Sequence, residues 1–212
     1  HEEAELRRLA NIDALTGLAN RACFYRRIQD VLLVPSPAAV LIVDLDGFTD
    51  LNDTLGPVIA DAVLQKVAQF LATFAGHDLH QAHLSQGPIA ARLGGDEFVV
   101  LLEGYKAEDN ISHVARKMLT VVSEPMQLGT HTVGVSPSIG IAIYPDDAIN
   151  AIELLKHADV AMYHAKEAGR NNFQFFTAEM NEKAHMRLAR ETRLRQALKN
   201  DEFVNFYQPI VN

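Results

Sequence analysis

Apolar positions along the chain fall into two rhythms that alternate with each other. Residues 38–45 (AAVLIVDL) are a short unbroken apolar run ending in acid, the pattern of a buried strand. Leu64, Val67, Ala68, Leu71 and Phe74 recur at helical spacing, and so do Ile111, Val114, Ala115, Met118 and Val122. A third helical face carries Ala151, Leu154, Leu155, Ala158 and Ala165, with Gly169 positioned to end it. Between these helices lie a strand pair around Gly94 and Gly95 and an alternating stretch through Ile139, Ile141 and Ile143. Strands interleaved with amphipathic helices predict an α/β sandwich, a central sheet covered by helices.

Beyond residue 177 the rhythm changes. The segment to about 200 is polar and helical, with Arg187, Arg190, Arg193 and Arg195 among scattered leucines, and reads as a solvated connecting helix. EFVNFYQPIVN then starts a new alternating run. At the other end, HEEAELRRLA is charged and helix-favouring, with no signal-peptide pattern, and reads as an internal stretch of a longer protein.

Composition narrows the class of function. Hydrophobic residues make up 48% and charged residues 22% of the 212, an ordinary globular balance. No apolar run approaches the ~20 residues of a membrane span, so no membrane contact is expected of this fragment and a cytoplasmic location is. Cys23 is the single cysteine, which excludes an internal disulfide and a cysteine-based zinc site. A net charge of −8 argues against nucleic acid as a partner. It does not argue against a nucleotide site, which needs a few placed cations and acidic metal ligands.

Three clusters offer that chemistry. Asp44 and Asp46, two residues apart, share one face of an extended segment at the end of an apolar strand, where α/β sheets place ligands; the alternative is helix capping. Gly94 and Gly95 permit a tight hairpin, and Asp96 and Glu97 follow inside an otherwise apolar strand pair. Acids at a hairpin tip are often mere turn residues, but with a second acidic strand end they make an oxygen donor set suited to Mg²⁺ or Mn²⁺. Lys166 and Arg170, four apart at a helix end, would share a face on a regular helix and clamp phosphate, or else simply complement the helix dipole.

Together the motifs resemble the GGDEF family of diguanylate cyclases. DALTGLANR from Asp13 is similar to that family's DxLTGLxNR, and DLDGFTDLNDTLG from Asp44 to its DxDxFKxxNDxxG. Gly94 to Phe98 is an intact GGDEF, and AMYHAKEAGRN from Ala161 matches AMYxAKxxGRN. The resemblance covers roughly residues 11–176. It implies a five-stranded, mainly antiparallel sheet flanked by helices, of the nucleotide-cyclase and polymerase-palm kind. It also implies that Asp44, Asp96 and the Leu45 carbonyl ligate Mg²⁺ (or Mn²⁺), with Glu97 assisting and Asp96 and Glu97 catalytic. Asn52 and Asp61 would bind the guanine edge of GTP, Phe48 would wall the nucleoside, and Lys166 and Arg170 would hold the β- and γ-phosphates.

The implied reaction joins two GTP into cyclic di-GMP, releasing two pyrophosphates. Each domain carries one GTP, so the partner is a second GGDEF domain in a homodimer. FYQPIV from Phe206 resembles the start of an EAL phosphodiesterase domain, implying an EAL domain in cis. The expected organisation is an N-terminal signalling helix (1–11), a GGDEF domain (12–176), a connecting helix (177–201) and the first strand of an EAL domain (202–212).

Departures from the pattern keep a second function open. Thr49 stands where the family usually has a phosphate-directed lysine, Pro57 replaces a common histidine, and Ala60 replaces a glycine. These favour a GTP-binding regulatory module that controls an attached phosphodiesterase without making product. The segment between Asp61 and Gly94 is longer than usual and holds His77, His80 and His83, which read as an inserted polar loop rather than a zinc site. The family's RxxD product-inhibition motif falls at Ser85 and Pro88, neither able to grip a nucleotide as Arg and Asp would; feedback by product is not expected.

Overall fold

The structure is a computed structural model that describes residues 10–34, 36–74, 89–104, 108–200 and 202–203. His77, His80, His83, Ser85, Pro88, residues 1–9 of the expected N-terminal helix and residues 204–212 of the expected EAL strand lie outside the described residues. The chain divides into two compact units, His1–Thr177 and Ala178–Asn212.

In the first unit a six-stranded sheet runs in the order β1 (Ala19–Asn20), β3 (Ile89–Gly94), β4 (Glu97–Glu103), β2 (Ala38–Asp46), β7 (Ser136–Tyr144), β8 (Phe173–Phe175). β3–β4, β4–β2 and β2–β7 pair antiparallel, whereas β1 joins β3 and β8 joins β7 in parallel. A hairpin of β5 (Met126–Leu128) and β6 (His131–Val133) stands apart. The sheet is therefore mainly antiparallel, as expected, but has six strands rather than five. The edge strands β1 and β8 span only two and three residues, too short to impose any period on the sequence.

Helices cover both faces. α1 (Arg21–Leu32), α2 (Phe48–Leu55), α3 (Pro57–Phe74), α4 (Glu108–Ser123) and α5 (Ala151–Glu167) belong to this unit. Alternation along each strand sorts the core into two layers. Ala39, Leu41, Val43 and Leu45 of β2 pack with Val67 and Leu71 of α3 and Ile111 and Met118 of α4. Ala38, Val40 and Ile42 face the other way, onto Phe24 and Ile28 of α1 and Leu154 and Ala158 of α5. Asn20 caps α1 by accepting from the Cys23 amide (2.9 Å), and Asn150 caps α5 from the Glu153 amide (2.9 Å).

α5 lies unusually close to the sheet. A Cβ built on Gly140 of β7 would sit 2.6 Å from the Met162 Cα and closer still to the Ala158 carbonyl oxygen and the Met162 amide nitrogen. Only glycine admits the helix at this depth, with Ala142, Ala158, Ala161 and Ala165 around it, all buried. That contact sets the height at which the end of α5 meets the ends of β2 and β7. The second unit contributes α6 (Ala178–Lys199), the polar helix expected from the sequence.

Candidate functional site

β2 turns from apolar to acidic as it leaves the core. The face that buries Ala38, Val40 and Ile42 continues with Asp44 and Asp46, so both carboxylates emerge on the side covered by α1 and α5. Glu97 pairs directly opposite Asp44 on β4, and Ser138 opposite it on β7. Side chains at paired positions project to the same face, which brings one carboxylate from each of two strands together.

Asp96 reaches this end through the hairpin. The β3–β4 register shifts between Arg92 and Gly94, and Gly94 then pairs with Glu97 across the turn at Gly95 and Asp96. Gly95 has φ 54°, a left-handed conformation that glycine adopts without strain. Arg92 fixes the turn: its Nε and Nη2 donate to the Gly95 carbonyl at 2.9 and 2.7 Å. Its Nη1 donates to both oxygens of Asp13 at 3.2 Å. Asp13 also accepts from the Thr16 hydroxyl at 2.7 Å and the Thr16 amide at 2.9 Å. Burial alone would raise Asp13, but these hydrogen bonds and the Arg92 guanidinium hold it below its ordinary value. The Asp96 carbonyl in turn accepts from the Leu45 amide at 3.4 Å, joining the turn to β2.

Lys166, in the last turn of α5, places its Nζ 2.7 Å from Asp44 Oδ1. The side chain of Asp44 is 13% exposed. Its carboxyl is raised by burial, with the Lys166 hydrogen bond opposing and the charges of Asp96 and Asp46 adding to the rise. Glu97 is raised by burial, then by Asp159 and Asp44, against the pull of Arg21. Asp159 is an exposed residue whose carboxyl is still raised by partial desolvation, with Lys166 pulling it down. Negative charge is thus concentrated where it is poorly solvated, an arrangement that favours a bound cation.

Arg170 departs from the expectation. α5 ends at Glu167, so Arg170 does not share a helical face with Lys166. Gly169, Arg170 and Asn171 take φ values of 111°, 62° and 46°, turning the chain back toward the sheet. Arg170 Nε still lies 4.0 Å from Asp46 Oδ1, so both cations converge on the acidic end of β2 by different routes.

The remaining expected residues lie on the helical hairpin that follows β2. Phe48 opens α2 and packs partly against the core, Asn52 sits one turn later, and Asp61 is exposed on α3. Among the described residues no hydrogen bond links Asn52 or Asp61 to the acidic cluster; they flank it from the next two elements. The sequence reading missed Asp159, Arg21 and the Asp13–Arg92 clamp. Asp159 precedes Lys166 by seven residues, two helical turns, which puts them on one side of α5 and was a usable signal.

As a metal centre the donors fit Mg²⁺ or Mn²⁺: all are hard oxygens, from Asp44, Asp96, Glu97 and the Leu45 carbonyl. Among the described residues no three acidic, histidine or cysteine side chains close around a common point. Mg²⁺ at nucleotide sites is usually held through one or two carboxylates together with substrate phosphates and waters.

Residues 10–172 match the family described as "Diguanylate cyclase, GGDEF domain". Over 211 residues the chain is 41% identical to the bifunctional diguanylate cyclase/cyclic di-GMP phosphodiesterase MucR of Pseudomonas aeruginosa, covering 98% of this chain and 29% of MucR. It is 36% identical to the cyclic di-GMP phosphodiesterase PdeR of Escherichia coli over 98% of this chain and 30% of PdeR. The chain thus spans under a third of the length of these relatives. Among solved structures, the GGDEF domain of TpbB (YfiN) from Pseudomonas aeruginosa superposes with a TM-score of 0.74 at 33% identity, covering 82% of this chain and 99% of that one.

Proposed function

Because the chain belongs to the GGDEF domain family, we propose that it is a diguanylate cyclase domain, condensing two GTP into cyclic di-GMP across a dimer. The observation that carries this reading is the convergence of Asp44, Asp96 and Glu97 with the cation of Lys166 at one sheet end, beside a helical hairpin bearing Asn52 and Asp61.

Each residue then has work to do. Asn52 and Asp61 read the guanine edge and Phe48 walls the nucleoside. Lys166 and Arg170 hold the β- and γ-phosphates, and Lys166 exchanges its Asp44 partner for phosphate oxygens as the nucleotide enters. Asp44, Asp96, Glu97 and the Leu45 carbonyl would hold divalent metal, which would supply charge stabilisation to the attacking and leaving oxygens. The 3′-hydroxyl of one GTP attacks the α-phosphorus of the other; a new P–O bond forms, the bond to pyrophosphate breaks, and the hydroxyl proton is released. The same exchange in the opposite sense closes the ring. A single chain offers one nucleotide site, so the two reacting GTP molecules come from two chains facing each other. FYQPIV from Phe206 supports an EAL domain in cis as a partner, joined to the GGDEF domain through the segment that holds α6.

A second reading is favoured by Thr49, which puts a neutral hydroxyl in the first turn of α2 where the family pattern has a lysine. In it the domain binds GTP and regulates an attached phosphodiesterase; the relative PdeR is named a cyclic di-GMP phosphodiesterase. Both readings require a guanine-selective site. Calorimetry with Mg²⁺ should show GTP binding at least tenfold tighter than ATP, because adenine lacks the N1–H and N2 amine that Asn52 and Asp61 pair with. Equal affinities would remove the basis of both.

A further inference from the structure

Asp44 and Asp46 look equivalent in sequence, two carboxylates on one strand face, yet their surroundings give them different tasks. Asp44 meets the ammonium of Lys166 at 2.7 Å, a side chain that is 29% exposed. Asp46 is enclosed, its side chain 6% exposed. Its Oδ1 accepts from the Ser138 hydroxyl at 2.7 Å. Its Oδ2 accepts from the Ser136 hydroxyl at 2.8 Å and from the backbone amide of Asn171 at 3.1 Å. Three of the roughly four acceptor positions of a carboxylate are thereby committed, and Arg170 Nε stands at 4.0 Å.

The Asn171 amide belongs to the turn that leaves α5. Arg170 and Asn171 are consecutive non-glycine residues at positive φ, 62° and 46°. Asparagine tolerates this region and arginine does not favour it, so such a pair persists only where neighbours impose it. The Arg170 amide donates to the Ala165 carbonyl at 3.1 Å. Asn172 Nδ2 donates to the Ala165 and Arg170 carbonyls at 2.7 and 2.9 Å. Those bonds tie the turn to its own helix. The Asn171 amide ties it through Asp46 to the strand end that carries the acids, while the Ile139 amide donates to the Asn172 carbonyl and the Ser123 hydroxyl to Asn171 Oδ1, each at 3.0 Å, from β7 and α4.

We propose that Asp46 is a positioning residue: anchored by Ser136 and Ser138, it holds the left-handed Arg170–Asn171 turn against β2 and so aims the Arg170 guanidinium at the nucleotide's outer phosphates. The inference rests on the reading that Arg170 holds those phosphates. A misplacement of about 1 Å in such a group costs up to a hundredfold in function.

The sign of the effect separates this role from a simple charge effect. Removing a negative charge near a triphosphate site should by itself tighten triphosphate binding. Loosening the turn should weaken it. The test is calorimetric titration of the chain with GTP and with GMP, in Mg²⁺, for wild type, Asp46→Asn, Arg170→Ala and the double variant. GMP keeps the guanosine and lacks the β- and γ-phosphates. Asp46→Asn is expected to weaken GTP about tenfold, the size of a lost hydrogen bond to a charged group, with GMP changed less than twofold. The double variant should bind GTP no more than twofold weaker than Arg170→Ala alone. Ser138→Ala, a milder change, should shift GTP in the same direction and serves if Asp46→Asn does not fold. Equal losses for GTP and GMP, tighter GTP binding, or losses that multiply in the double variant would overturn the proposal while leaving the nucleotide site standing. If Arg170→Ala leaves the GTP-to-GMP ratio unchanged, the phosphate role of Arg170 fails and the proposal with it.

Discussion

Substituting Gly140 by alanine adds one methyl group at the point where α5 rests on β7. That methyl would stand 2.6 Å from the Met162 Cα, with the Ala158 carbonyl oxygen and the Met162 amide nitrogen nearer still. Carbon atoms in contact normally sit about 3.5–4.0 Å apart, so the helix has to lift by about 1 Å or more. All three obstructing atoms are helix backbone and cannot rotate away as a side chain would. Overpacking of cores costs about 1–3 kcal/mol, and a rigid backbone obstacle puts this site at the top of that range. At about 2–4 °C per kcal/mol for a domain of this size, Gly140→Ala should lower Tm by roughly 6–12 °C. The lift also carries Lys166 away from Asp44, so GTP affinity in Mg²⁺ should fall even at temperatures where the variant is fully folded. Thermal melting by circular dichroism and calorimetry on the same samples read both effects. A variant that melts within about 2 °C of wild type and binds GTP unchanged would refute the claim that glycine at 140 sets the height of α5.

Two further outcomes follow from the charges. Glu97 titrates above its ordinary value because of burial, then Asp159 and Asp44, so its ionised form is disfavoured in the fold and the deficit grows as pH rises through the carboxylate range. In metal chelator, Glu97→Gln should therefore melt slightly above wild type near neutral pH and equal to it near pH 3, and in Mg²⁺ it should lose product formation; a lower Tm at neutral pH in chelator would contradict the assignment. Asp13 is the opposite case, held below its ordinary value against the effect of burial by Thr16 and Arg92. Its contribution is complete above about pH 4, the unfolded value, and is lost as pH falls through the lower folded value. The urea midpoint of Asp13→Asn should thus lie below wild type near neutral pH and approach it in acid, and a gap that persists unchanged to pH 2 would contradict the clamp.

How much of this could be read from the sequence depended on the length scale of each feature. The apolar run at 38–45 and the heptad-like faces of α3, α4 and α5 are long enough to declare their period, and the structure has β2, α3, α4 and α5 there. β1 and β8 are edge strands made by pairing alone and leave no such trace. Lys166 was legible as a helix-end cation, whereas the route of Arg170 was not, because three consecutive positive φ values follow from the turn's hydrogen bonds rather than from its spacing. The distinct character of Asp46 depends on Ser136 and Ser138, some ninety residues away in the chain and adjacent only through the β2–β7 register. Gly140 carried a signal that could have been used: glycine inside an apolar strand marks a close approach of another backbone.

The central claim, that two of these sites facing each other make cyclic di-GMP, is tested most directly by turnover. Purified chain is incubated with GTP and Mg²⁺ over a wide range of protein concentration, and the nucleotides are separated by anion exchange. Cyclic di-GMP and pyrophosphate should appear in a ratio of one to two, with a specific activity that rises with protein concentration in the dilute range, and with no product from Asp44→Asn at a temperature where it is fully folded. GTP that binds tightly and stays intact at every concentration would contradict the cyclase assignment and leave the regulatory reading in its place.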